Sequence, residues 1–178
     1  PFISGGGGNP LLRPYRANAV DLNIEKYFAG GAGVVAAQVF YKDLVSYIDG
    51  SRVIFDYAPF PQPAGQTPAT NFYGVELAAT VPFDVFTGAL NGFGVTGGAG
   101  YTKTKVENAN GDTDQIPGYS EWVANGTLYY DLNGFSARGS VRYRSEFLAD
   151  FTGFGGSPTR RLARAETIFD AQIGYEFQ

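Results

Sequence analysis

Between Tyr119 and Phe147 apolar and polar residues alternate with a period of two, the period of a β-strand whose faces meet different surroundings. In the second half of the stretch Phe135, Ala137, Gly139, Val141 and Tyr143 share one face. Ser136, Arg138, Ser140, Arg142, Arg144 and Glu146 share the other. In the first half Trp122, Ala124, Gly126, Leu128 and Tyr130 form the apolar row, against Glu121, Val123, Asn125, Thr127 and Tyr129. Asp131, Leu132, Asn133 and Gly134 between them are turn residues, so the stretch predicts a hairpin. Placing Tyr130 opposite Phe135 brings Leu128 to Ala137, Gly126 to Gly139, Ala124 to Val141 and Trp122 to Tyr143, apolar against apolar throughout.

The same alternation recurs along the chain. Val20, Leu22, Ile24 and Phe28 oppose Asp21, Asn23, Glu25 and Tyr27, with Lys26 on the apolar side close enough to a strand end to snorkel. Val35, Ala37, Val39 and Tyr41 oppose Ala36, Gln38 and Lys42, in a strand expected to run to about Ile48. Tyr73, Val75, Leu77, Ala79, Val81 and Phe83 form a third apolar row, Phe93, Val95, Gly97, Ala99 and Tyr101 a fourth, and Phe169, Ala171, Ile173, Tyr175 and Phe177 the last. Seven strands are predicted, joined alternately by short connections (29–33, 84–92, 131–134) and long ones (49–70, 107–118, 148–165). The prolines at 59, 61, 63 and 68 remove ladder donors from the first long connection, and residues 1–14, with Gly5 to Gly8, Pro10 and Pro14, read as a loop.

About ten residues per arm at roughly 3.3 Å each cover a bilayer core once the strand is tilted. Arg138, Arg142 and Arg144 on one face exclude a dry interior there, because unpaired buried guanidinium groups are too costly. The opposite face, small in its middle and ringed at its ends, fits lipid, where aromatic girdles mark the two interfaces. The predicted fold is therefore all-β: part of an antiparallel transmembrane β-barrel, with residues 1–178 belonging to one outer-membrane barrel domain. A closed bacterial barrel has an even strand number, so further strands are expected outside this sequence.

Composition narrows the chemistry. The 178 residues hold no cysteine and no histidine, which removes thiolate and histidine metal sites and His-based triads. Glycine at 25 residues and aromatics at 16% suit strands with rings at interfaces and little bulk between. The formal charge of −4 with mixed signs offers no basic surface for nucleic acid. No apolar run is long enough for a transmembrane helix, and no signal peptide or initiator methionine is present, which points to a piece of a longer protein.

Candidate sites are few. The run Gly5 to Gly8 lacks both a preceding strand and the Gly-Lys-Ser/Thr of a phosphate loop, and no resident cofactor is expected. Asn108, Asn110, Asp112 and Asp114 alternate around Gly111 loosely like a calcium loop but lack the closing glutamate, so a solvated turn is the preferred reading. Asp112 and Asp114 have no apolar pocket to shift a pKa, and enzymatic activity is not expected. Arg138, Arg142 and Arg144 either guide an anionic ligand or form a structural ladder with the last strand, Arg138 near Glu176, Arg142 near Gln172 and Arg144 near Asp170. The ladder is preferred. In the long connections Tyr57, Phe60, Phe151 and Phe154 supply rings and Arg160, Arg161 and Arg164 positive charge, suited to a ligand with apolar and anionic parts or to lipopolysaccharide phosphates.

The run Asn9-Pro10-Leu11-Leu12-Arg13-Pro14-Tyr15 leading to Ala17, Asp21 and Glu25 resembles the approach to a strand in TonB-dependent outer-membrane receptors. So do Phe40-Tyr41-Lys42-Asp43, Gly74-Val75-Glu76-Leu77, Ile116-Pro117-Gly118-Tyr119-Ser120, Gly134-Phe135-Ser136-Ala137-Arg138 and Tyr143-Arg144-Ser145. The resemblance implies a 22-stranded barrel with an N-terminal plug, of which this chain supplies about strands 14 to 20, without the plug, the TonB box or the final strand pair. It also implies a bacterial outer-membrane location, active import of a scarce small nutrient, and as partners the plug, the TonB complex, outer-membrane lipid and lipopolysaccharide. A passive porin or structural barrel shares every strand feature, and a soluble ligand-binding barrel would turn its apolar residues inward.

Overall fold

In the computed structural model of the chain the described residues are 16–44, 47–48, 66–67, 70–107, 113–152 and 158–177. Their strands, in chain order, are β1 (Ala17–Phe28), β2 (Gly33–Leu44), β3 (Tyr47–Ile48), β4 (Gln66–Thr67), β5 (Thr70–Pro82), β6 (Phe93–Glu107), β7 (Thr113–Asp114), β8 (Trp122–Leu132), β9 (Phe135–Arg144), β10 (Phe147–Thr152), β11 (Pro158–Ala163) and β12 (Glu166–Tyr175). The seven long strands pair antiparallel in the order β1-β2-β5-β6-β8-β9-β12, so each lies beside the next long strand of the chain. This is an up-and-down wall, open at β1 and β12 among the described residues.

Pairing keeps the faces sorted from strand to strand. One row on the apolar face runs Ile24, Ala37, Leu77, Ala99 and Ala124, and another runs Leu22, Val39, Val75, Tyr101 and Trp122. A third runs Val35, Ala79, Gly97, Gly126, Val141 and Phe169. The third row places glycine beside glycine in β6 and β8. There a Cβ on Gly97 would stand 2.5 Å from the Asn125 carbonyl oxygen, so the two backbones meet without side-chain bulk.

Two registers differ from expectation. The β8–β9 turn holds two residues, not four: Asn133 (φ 54°) and Gly134 (φ 78°) both adopt positive φ, the requirement of a type I′ turn. Leu132 therefore pairs with Phe135 and Tyr130 with Ala137, a slip of two that leaves every residue on its expected face. Along β12 the slip is four: Arg138 faces Gln172, Arg142 faces Ile168 and Arg144 faces Glu166. A period-two pattern cannot choose between registers four apart. The observed register extends one rung into the turn, where the Glu176 amide donates to the Gly134 carbonyl at 2.8 Å.

The connections also depart from simple loops. Strand β2 ends at Leu44, and Tyr47–Ile48 pairs separately with Gln66–Thr67. Phe83 leaves the third long strand to open a 3-10 turn, Phe83–Val85, followed by Gly88–Leu90, whereas the β1–β2 connection is one such turn, Ala29–Gly31. The strand expected from 119 begins at Trp122, the one expected to reach 147 stops at Arg144, and the last begins at Glu166 rather than 169. Residues 148–165, expected as a loop, contain the β10–β11 hairpin, in which Phe147 pairs with Ala163 and Thr152 with Pro158. The segment Arg52 to Tyr57 and the first fifteen residues lie outside the described residues.

Candidate functional site

Strand alternation puts Arg138, Arg142 and Arg144 on the polar face of β9, and the wall gives each a different setting. Arg142 Nη2 lies 3.1 Å from Asp170 Oδ2, a diagonal contact across the β9–β12 ladder. Arg138 Nη2 lies 3.4 Å from Asp131 Oδ2 at the turn end. More than half of each of these four side chains is exposed, so the pairs are water-screened and individually weak. The ladder foreseen with Glu176, Gln172 and Asp170 is thus replaced by Asp131 for Arg138 and Asp170 for Arg142.

Arg144 has no carboxylate partner among its described contacts. Its Nε donates to Ser120 Oγ at 2.7 Å, its Nη2 donates to the Gly118 carbonyl at 2.7 Å, and its guanidinium carbon sits 3.7 Å from the Phe147 ring centroid. Around it, residues 115–121 fold over the polar face. The Ile116 amide donates to Thr104 Oγ1 at 3.0 Å, and the Tyr119 ring meets Phe72 edge-on at 5.0 Å. Phe72 continues to Phe40 at 5.8 Å, over which Lys42 places its ammonium at 5.5 Å. Gly74 makes room for this, since a Cβ there would stand 2.2 Å from the Tyr101 carbonyl oxygen and 2.7 Å from the Phe40 ring. Ile116, Thr104 and Ser120 are buried here.

Sequence reasoning missed this cluster. It assigned 107–118 to a polar loop and Tyr119 to a strand, although the lone apolar Ile116 before Pro117-Gly118 was the available signal. The other foreseen residues fall in two groups. Tyr57, Phe60, Phe154, Asn108, Asn110 and Asp112 lie outside the described residues. Asp114 pairs through its backbone with Val106 in β6, Phe151 stands opposite Thr159, and Arg160 stands opposite Asp150. Arg161 is exposed opposite Ala149 in the same hairpin, and Arg164 is exposed just beyond it.

On the reverse face rings gather at two levels. Tyr101 meets Trp122 at 4.8 Å near the long connections, while Phe93 meets Tyr130 at 4.4 Å and Tyr130 meets Phe135 at 6.0 Å near the short ones. Phe93 to Tyr101, Trp122 to Tyr130 and Phe135 to Tyr143 each span eight positions. Eight positions are about 26 Å along a strand and about 20 Å along the normal at a typical tilt of roughly 40°. Between and beyond the belts Leu77 (54%), Phe169 (77%) and Ile173 (77%) are bare. Among the described residues Ile116 is the one buried large hydrophobic, so the sheet has no apolar core of its own and presents its apolar residues outward.

A wall of this kind is that of a transmembrane-type β-barrel. Residues 1–178 match the family described as TonB dependent receptor-like, beta-barrel, and the chain belongs to that family. Six solved chains match it, among them the ferric-catecholate import receptor Fiu from Escherichia coli K12 in its closed form, at 16% identity and a TM-score of 0.66. That likeness covers 99% of this chain and 24% of Fiu, so the chain spans about a quarter of the neighbour's length. No curated protein matches it. Proteins of the family are outer-membrane receptors and transporters, and no helix among the described residues is long and apolar enough to cross a membrane.

Proposed function

We propose that this chain forms part of the barrel wall of a bacterial outer-membrane receptor that binds a scarce nutrient outside the cell and imports it with energy from TonB. The observation that carries the reading is the family match over the whole chain, joined to a wall with one belted apolar face and one charged polar face. The long connections lie outside, the short ones toward the periplasm, and the partners are the plug, the TonB complex and the surrounding lipid and lipopolysaccharide. No enzymatic step and no resident cofactor is part of this reading. Arg138 and Arg142 on the wall, Arg160 and Arg161 in the β10–β11 hairpin and Arg164 just beyond it favour an anionic cargo, and the aromatic residues that the sequence places in the long connections would suit its apolar parts. A ferric catecholate, the cargo of the structural neighbour, combines rings with negative charge and is the first ligand to try.

Uptake of a labelled ferric catecholate by cells carrying the intact receptor, with and without TonB, tests this. Accumulation should require both receptor and TonB. Receptor-dependent uptake that survives loss of TonB would make the protein a passive pore.

A further inference from the structure

Arg144 lies at the end of β9 where two long connections meet the wall. One is the segment 115–121; the other begins one residue after Glu146, at the base of the β10–β11 hairpin. The arginine touches both, through Gly118 and Ser120 on one side and the Phe147 ring on the other. Beneath it the two connections are tied directly. The Gly118 amide donates to the Leu148 carbonyl at 2.7 Å, and Ser120 Oγ donates to the Ser145 carbonyl at 2.9 Å. The Trp122 amide donates to Ser145 Oγ at 3.0 Å, and the Ser145 amide returns to the Trp122 carbonyl at 2.8 Å.

We propose that Arg144 is a latch that joins the 115–121 segment and the β10–β11 hairpin into one body, so that the two connections open and close together. A planar guanidinium suits the task, since it donates in its plane to Ser120 and Gly118 while presenting its face to Phe147. A lysine ammonium offers donors without that flat face. Because 115–121 also grips the polar face through Thr104 and Phe72, a force on the hairpin is carried to the barrel interior at Ile116 and Tyr119. Arg144 is then a positioning residue for the outer connections, and its guanidinium is withdrawn from any ligand. The inference holds for any cargo and does not rest on the transport reading.

Amide hydrogen exchange of the intact receptor in outer-membrane vesicles tests it, because exchange reads local opening. Arg144→Ala should speed exchange about tenfold or more in peptides covering both 115–121 and 147–152, with 93–101 unchanged. Arg142→Ala, which removes a wall ion pair that touches neither connection, should leave both peptides as they were. Arg144→Lys should move both peptides in the same direction by a smaller factor, and it serves as the reading if the alanine variant does not assemble. Acceleration in one connection without the other, or in neither, would overturn the latch.

Discussion

Replacing Leu77 with arginine probes the sidedness of the wall. Leu77 stands on the apolar face of β5, flanked by Ala37 in β2 and Ala99 in β6, and 54% of it is exposed. It lies four positions from Tyr73 and four from Val81, which face Lys103 and Val95 at the two ends of the apolar band. Four positions are about 13 Å along the strand, or about 10 Å along the normal at a tilt of roughly 40°. Leu77 thus lies within an apolar band about 20 Å tall, where an arginine meets lipid rather than water. The neighbouring alanines offer no counter-charge. Arginine at that depth costs about 2–4 kcal/mol of barrel stability. The control is Ser140→Arg, on the polar face opposite Asp170 and Thr127. It loses one hydroxyl contact of 2.9 Å to Thr127 and gains a carboxylate neighbour, so it should stay within about 1 kcal/mol of the parent. Denaturant titration of the intact receptor refolded into phospholipid vesicles, followed by its heat-modifiable gel mobility, measures both. Equal losses from the two variants would refute the assignment of faces.

Two further outcomes are expected. Gly74→Ala should destabilise the barrel by about 1–3 kcal/mol in the same titration, because the new methyl meets the fixed Tyr101 carbonyl and the Phe40 ring, whereas Gly139→Ala, with nothing within 4 Å, should be nearly silent. In intact cells a cysteine replacing Leu162, 62% exposed in the β10–β11 hairpin, should react with an impermeant thiol reagent, and one replacing Asn133 in the short turn should not; the reverse pattern would invert the topology.

The wall was legible because a strand has only two faces. Every residue of Trp122 to Tyr130 and Phe135 to Tyr143 takes its expected side, although the pairing slipped by two, since a slip of two preserves faces. What fixes register is turn geometry, which hydrophobicity does not encode. Asn133-Gly134 closes a two-residue turn, while the wider reading, Asp131 to Gly134, kept two strand residues in the loop. The β10–β11 hairpin escaped for a related reason. Its strands pair Leu148 with Leu162 but also Asp150 with Arg160 and Ala149 with Arg161, and such mixed faces lack a lipid-driven alternation. The contacts of Arg144 were illegible because its partners are a backbone carbonyl, a hydroxyl and a ring, none of which advertises a guanidinium partner in sequence.

Three arginines that look equivalent in sequence therefore divide by how replaceable their partners are. An ion pair with both ends more than half exposed contributes at most about 1 kcal/mol, so Asp131 and Asp170 can be exchanged for another anion at little cost. Arg144 holds a ring, a hydroxyl and a carbonyl at once, and freeing it breaks two charge-assisted hydrogen bonds and a stacking contact together. Under the transport reading, an anionic cargo or an acidic plug side chain would recruit Arg142 and Arg138, four positions or about 13 Å apart along β9, and leave Arg144 in place. On that reading the two aspartates would keep each site near neutral when empty, so that an anion would be held only weakly at either one.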